Sequence, residues 1–388
     1  MTEHIRYLGL DVHKETIAVA LAESGQTAAR SHGTINHRPE AVAKLIRKLG
    51  PVEQLRCCYE AGPTGYGLYR QLVRLGVACI VVAPSLIPVK VGDQVKTDRR
   101  DAEKLARLLR SGELTAVWVP DEAHEALRDF TRLRESAKQD LHRVRQQLGK
   151  LLLRLSVAPT TRLSRWSKGY RAWLSSLRLP QALEQATLEV YLEHLDESAA
   201  RLDKLNTRLE ELAVNHEQAP LIQAFACLHG VGLVTAITLV AELGDLSRFP
   251  TARALMGYVG LGPREHSSGG RVRRGGISKR GNSHARRVTV EASWHFRHAP
   301  GVGPALQRRR RDQPAGVLVI ADKAHARLHR RYRRLLGRGK LPQQAVVAVA
   351  RELLGFIWAI ARELAASRAA APAEPAATAA APAVEQAA

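Results

Sequence analysis

Cysteine is sparse, with 4 in 388 residues, and none is spaced as a metal ligand. Cys57 and Cys58 are adjacent, while Cys79 and Cys227 stand in apolar surroundings. With no CxxC or Cys/His spacing, structural zinc is not expected, and free thiols in a reducing compartment are. A run of 18 uncharged apolar residues is also missing, which argues against a membrane span. The opening residues Met1 to Arg6 lack the pattern of a secretory leader, so a cytoplasmic, nucleoid-associated protein is expected. Acidic residues are in short supply too: 37 Asp and Glu face 59 Lys and Arg, a net charge of +22. The deficit is local, since Gly262 to Lys340 holds 21 Lys and Arg against 4 Asp and Glu. Such clustering points to a polyanion, nucleic acid first and a membrane surface second.

What is present reads as a soluble chain, 45% hydrophobic and 25% charged, long enough for two or three domains. Tyr7 to Asp11 and Ile17 to Ala22 read as two hairpin strands, with Asp11 in the first and a turn signal at Ser24-Gly25 after the second. Pro39 to Leu49 has helical spacing through Val42, Leu45, Ile46 and Leu49. A strand over Gln54 to Tyr59 ends on Glu60, a helix follows over Tyr66 to Leu75, and Val77 to Val82 reads as a buried parallel strand. Alternating strands and helices make this an α/β domain of ribonuclease-H-like type.

Thr97 is placed to cap a helix whose first turn carries Asp98 and Asp101 on one face. Acids near a helix N-terminus are ordinarily capping residues. With Asp11 and Glu60 at strand ends, they also suggest one crevice of four carboxylates. Such a group repels itself unless a cation is present, and oxygen-only ligation argues for Mg²⁺ or Mn²⁺.

Beyond Ala126, Ala137, Leu141, Val144, Leu148, Leu151 and Leu155 form a heptad seam. Leu195, Ala199, Leu202, Leu205, Leu209 and Leu212 form a second. An antiparallel helical hairpin with an irregular tip over Ser156 to Pro180 follows, either a spacer or a contact for a homodimer or tetramer. Trp166, Tyr170 and Trp173, beside Arg165, Lys168 and Arg171, would stack on single-stranded bases or pack on a neighbouring helix.

The C-terminal half opens on Gly230-Val231-Gly232 between helices, an arrangement that binds a DNA phosphate or simply packs. A helix over Phe249 to Tyr258 leads to Gly262-Pro263-Arg264-Glu265-His266-Ser267-Ser268-Gly269-Gly270, a hydroxyl-bearing loop among glycines. Arg271, Arg273, Arg274, Lys279, Arg280, Arg286 and Arg287 would neutralise a phosphodiester there. Helices are expected over Ala285 to Arg297 and Ala315 to Arg334, with a solvated Arg308 to Arg311 run between them. An amphipathic helix over Pro342 to Ser367 packs on the body. From Arg368 the chain is Ala/Pro low complexity and expected to be disordered.

These motifs, in this order, resemble the DEDD transposases of the insertion sequence 110 family, relatives of the Piv invertase. Leu8 to Lys14, Tyr59 to Gly65 and Lys96 to Ala102 are similar to its acidic motifs, and Gly260 to Pro263, Ser268-Gly269 and Lys279 to Asn282 to its second block. The resemblance implies a RuvC-like DEDD domain over 1–120, a coiled-coil hairpin over 121–215, a serine domain over 216–367 and a tail over 368–388. It implies Asp11, Glu60, Asp98 and Asp101 holding Mg²⁺ (or Mn²⁺), and Ser268, with Ser267 the neighbouring alternative, joined covalently to a DNA end. It also implies element-end and target DNA as substrates and an element-encoded guide RNA as partner. The competing readings are a metal-dependent junction nuclease using the acids alone, and a non-catalytic nucleic-acid scaffold.

Overall fold

The computed structural model describes residues 4–88 and 97–370, apart from the side chains of Arg274 and Ala370. Lys96 and the segment from 371 onward, part of the expected tail, lie outside the described residues. The chain divides into two compact units, Met1–Asp121 and Glu122–Ala388.

The first unit is built on β1 (Arg6–Val12), β2 (Thr16–Glu23) and β3 (Arg30–Asn36), an antiparallel meander. Then come α1 (Pro39–Leu49), β4 (Leu55–Glu60), α2 (Gly67–Arg74), β5 (Ala78–Val82) and α3 (Asp98–Arg110). β4 pairs in parallel with β1 and β5 with β4, giving a five-stranded mixed sheet of order β3-β2-β1-β4-β5. Strand β3 was not legible in the sequence. Arg30 to Asn36 is polar and mostly exposed, so it lacks apolar alternation and is held by backbone pairing to β2. The buried parallel strand expected over Val77 to Val82 forms as β5, parallel to β4 at the end of the sheet; Val77, Val81 and Val82 are buried, while Ala78 is exposed.

The two faces of the sheet differ in side-chain size, and that decides what covers them. Leu8, Leu10, Ile17, Val19, Leu55 and Tyr59 are buried in one cluster with Val42, Leu45 and Ile46 of α1 and Leu68 and Leu72 of α2. The opposite face carries Ala18, Ala20 and Ala22, clustered with Ala102 and Ala106 of α3. Gly9 sits on that side too, and a Cβ there would lie 2.1 Å from the Ala102 carbonyl oxygen and 2.4 Å from the Ala106 nitrogen. Small residues let α3 lie directly on the strands. Thr97 caps α3, its side chain accepting from the Arg100 N–H.

In the second unit, α4 (Glu122–Arg154) and α6 (Ala182–Val214) run antiparallel: Arg134 donates to Asn206 at 2.8 Å, while His194 and Ser198 lie beside Ala137 to Gln147. The connection, expected to be irregular, contains α5 (Lys168–Ser176), capped by Ser167. Its aromatics are used in packing. Tyr170 is 6% exposed and meets Trp166 and Trp173 at centroid distances of 5.5 and 5.1 Å. Arg171 pairs with Asp196 of α6 through a 3.1 Å hydrogen bond from Nε.

The body of this unit continues with α7 (Ala219–Ala226), α8 (Leu233–Leu243), α9 (Ala252–Tyr258) and the two-stranded β6 (Pro263–Glu265) and β7 (Arg274–Ile277). After these come α10 (Ser283–Ser293), α11 (Pro304–Arg310), α12 (Ala315–Gly337) and α13 (Pro342–Ala370). Residues 368–370, counted with the expected tail, belong to α13. By length and composition α13 could cross a membrane. Its apolar side chains form the core instead: Val346, Val349, Leu353, Leu354, Ile357 and Ile360 are all 0% exposed.

The Arg308 to Arg311 run, expected to be solvated, is partly turned inward. Arg309 donates to the Ala226 carbonyl at 2.9 Å and Arg310 to the Cys227 carbonyl at 3.2 Å, covering the C-terminus of α7 where cations are favoured. Arg310 also bonds Asp322 at 2.6 Å.

Gly9→Ala is expected to lower stability by about 1–3 kcal/mol, the usual range for overpacking a well-filled site. Urea denaturation measures it, and an unchanged midpoint would show that α3 does not depend on this contact.

Candidate metal centre and serine hairpin

Leu10 and Tyr59 are register partners in the β1–β4 pair. The next residues, Asp11 and Glu60, therefore alternate to the other face, the one α3 covers. The close approach at Gly9 brings the first turn of α3 to the end of β1. His13, just past β1, places its Nε2 3.3 Å from an Asp11 oxygen and 3.3 Å from an Asp98 oxygen. Asp11, His13 and Asp98 offer ligand atoms that all lie within 4.8 Å of one another. Glu60 and Asp101 are outside that compact trio, although the Asp101 charge still acts on Asp11.

Asp11 is the electrostatic centre. Burial raises its carboxyl pKa, His13 opposes that rise, and the charges of Asp98 and Asp101 add to it. A cation between these groups relieves both the burial cost and the repulsion. Two carboxylates and an imidazole suit a first-row divalent ion as well as the oxygen-only set inferred from the sequence. His13 lies within the Leu8 to Lys14 motif, where the acids alone mark a metal site in the sequence. Its two-residue offset from Asp11 was the available signal, and only the turn between β1 and β2 aims the ring back.

The serine loop is the tip of the β6–β7 hairpin, and Ser267 to Arg271 are all exposed. Ser268 and Arg271 exchange backbone hydrogen bonds at 3.3 Å across Gly269-Gly270. Gly269 has φ +57°, the left-handed conformation that the first position of such a tight hairpin turn requires. The Ser267 hydroxyl donates to Glu265 at 2.9 Å. Arg271, Arg273, Lys279 and Arg280 are exposed around the hairpin, and the Arg274 side chain lies outside the described ones.

Two arginines grouped with these do internal work instead. Arg286 donates to the Val259 carbonyl at 2.8 Å and the Arg280 carbonyl at 3.2 Å. Arg287 pairs with Glu135 at 2.7 Å and Glu291 at 2.9 Å. Gly230, with φ +79°, is required by packing, since a Cβ would lie 2.4 Å from the Ala292 carbonyl oxygen. Gly232 caps α8 with open space around it.

Beneath the hairpin lies a buried ion pair. Glu242 is 1% exposed and accepts from Arg132 at 2.9 and 3.2 Å and from Asn282 at 2.7 Å. Burial by itself would raise the Glu242 pKa, but the Arg132 and Asn282 hydrogen bonds and the nearby arginine charges outweigh it and hold it low. Asn282 also caps α10 by accepting from the Ala285 N–H. Gly281, at φ +74°, lets the backbone approach the Tyr258 carbonyl.

Comparison with known proteins fits this geometry. A family model described as transposase, IS116/IS110/IS902 family, matches residues 223–306, and the IS110 DEDD transposase model matches residues 8–157. The chain is 44% identical over 360 residues to y4qE, a Sinorhizobium fredii protein that bears the name of a transposase, covering 92% of this chain and 88% of that one. It is 35% identical over 341 residues to the transposase for insertion sequence element IS1533 of Leptospira borgpetersenii, covering 85% of this chain and 96% of that one. A 43.6 kDa protein of insertion element IS110 from Streptomyces coelicolor is 26% identical, covering 92% of this chain and 94% of that one.

Because the folded state holds the Asp11 proton more tightly than the unfolded chain does, stability falls as pH rises from the ordinary carboxylate range through the raised value. Asp11→Asn is therefore expected to raise the melting temperature at pH 7 in the presence of a chelator, with no gain well below the ordinary carboxylate range. Mg²⁺ or Mn²⁺ is expected to raise the melting temperature of the native protein and much less that of the variant. Calorimetry with and without metal checks both, and equal metal responses would remove the assignment.

Proposed function

The chain belongs to the IS116/IS110/IS902 family of insertion-sequence transposases, and from that premise we propose that it cuts and joins DNA strands with a divalent metal and a covalent serine–DNA link. The observation that carries the reading is the convergence of Asp11, His13 and Asp98, with Asp101 close enough to act on Asp11. Asp11, His13 and Asp98 would hold Mg²⁺ or Mn²⁺, with Glu60 and Asp101 as the remaining acids of the expected set. When bound, such an ion neutralises phosphate charge and polarises the phosphorus.

Ser268 is the proposed nucleophile. Its Oγ forms a bond to phosphorus, its proton passes to a base, and the displaced deoxyribose oxygen is protonated as it leaves. The turn at Gly269-Gly270 leaves that hydroxyl open to a bulky phosphodiester, since neither glycine has a side chain to obstruct it. Ser267 is already hydrogen-bonded to Glu265, which favours a supporting role for it. Arg271, Arg273, Arg274, Lys279 and Arg280 hold the DNA backbone, and Gly232 at the N-terminus of α8 offers a further phosphate contact. Phosphate contacts carry no sequence information, so target choice is assigned to a guide RNA encoded by the element. The α4–α6 hairpin is assigned to self-association as a dimer or tetramer.

Purified protein incubated with element-end DNA, flank-encoded RNA and Mg²⁺ is expected to give a protease-sensitive DNA adduct. Ser268→Ala should abolish that adduct and Ser267→Ala should retain it. Cutting that persists in Ser268→Ala without an adduct would instead establish a nuclease that uses the acidic centre alone.

A further inference from the structure

The strongest cationic feature outside the serine hairpin is a groove between α12 and α13. Arg327, Arg330, Arg331 and Arg334 line it with Glu352, around a volume of ≈ 490 Å³. The arginines follow an i, i+3, i+4, i+7 pattern, so α12 presents all four on one face. Glu352 reaches across from α13 and pairs with two of them: it accepts a hydrogen bond from the Arg327 Nε at 3.0 Å and lies in ion-pair contact with Arg331 at 3.1 Å. The hydrogen bond at Nε fixes the plane of the Arg327 guanidinium and leaves its Nη edge for an outside acceptor. Arg330 and Arg334 are exposed, and Arg330 turns its Nε back to the Ala326 carbonyl of its own helix.

We infer that this groove is a second DNA site, which grips the phosphate backbone of one strand of a duplex apart from the hairpin where Ser268 lies. The charge count matches. Four arginines and one glutamate leave three net positive charges. Arg327 to Arg334 spans about 10 Å of helix at the usual rise. One strand of B-DNA places a phosphate about every 3.4 Å along the axis, hence roughly three phosphates over that length. A small anion would need only one or two of these groups, whereas a row of forks along a helix face fits a repeating polyanion. A duplex gripped here would be held through its backbone alone, in keeping with a protein whose base-reading is supplied from elsewhere.

The test is binding of a short fluorescent DNA duplex to the full chain over a KCl series, with chelator present so that no strand is cut. Arg330→Gln with Arg334→Gln removes the two arginines that Glu352 does not tether, and both are exposed. If each contacts one phosphate, the slope of log K against log salt becomes shallower by about 1.8, from about 0.9 per contact. An unchanged slope, with the thermal melt also unchanged, overturns the inference. A fall seen only with an RNA duplex of equal length overturns the assignment to DNA. Ser268→Ala, which is expected to lose the adduct in the separate Mg²⁺ assay, should keep the native slope here, so failure of the serine chemistry and failure of this grip are read separately.

Discussion

The first unit depends on a place where a side chain is missing. At Gly9 a helix backbone occupies the space a Cβ would need, and the alanines of β2 extend that low surface beneath α3. Had these positions been leucine or valine, as on the opposite face, α3 would stand several ångströms higher. Its first-turn acids would then lie away from the end of β1. The same contact that closes the hydrophobic layer therefore brings Asp98 and Asp101 to Asp11, and it does so at an electrostatic cost carried by Asp11. Packing supplies the free energy that holds like charges together, and a cation is the natural relief for it.

The second unit solves a related problem with a buried ion pair. Arg132 of α4, Glu242 of α8 and Asn282 at the cap of α10 meet in one network whose carboxylate is almost fully buried. A buried charge is tolerable only when its lone pairs are satisfied, and here three donor groups satisfy them. Asn282 follows directly on Gly281, whose close approach to the Tyr258 carbonyl fixes the start of α10 against the end of α9. The base of the β6–β7 hairpin is tied into the same region, with Arg286 closing on the carbonyls of Val259 and Arg280. The exposed serine turn thus stands on a base braced by side-chain to backbone hydrogen bonds.

Positive charge in this chain is not of one kind. Arg286, Arg287, Arg309 and Arg310 are used within the fold, capping helix ends, bracing turns or pairing with buried and half-buried acids. Arg271, Arg273, Lys279 and Arg280 remain exposed around the serine turn, and Arg327 to Arg334 form a separate row along α12. Composition counts these together; only their partners separate the arginines used within the fold from those left exposed.

The sequence by itself determined the parts governed by local chemistry. The spacing of Val42, Leu45, Ile46 and Leu49 specified α1, Thr97 specified the start of α3, and the clustered arginines and glycine-flanked serines marked the polyanion partner. The order of the acidic and serine motifs was enough to identify the family. Tertiary structure decided whatever depends on a neighbour distant in the chain. Strand β3 exists because β2 offers it hydrogen bonds, and β5 ends the sheet with only a single bridge, Val82 to Ala116, on its far side. His13 joins Asp11 and Asp98 because a turn and a helix converge on one strand end. Periodicity records which face of an element is apolar, whereas the distance between two charged groups is set by how closely their elements can approach, and that is a property of the packed layers.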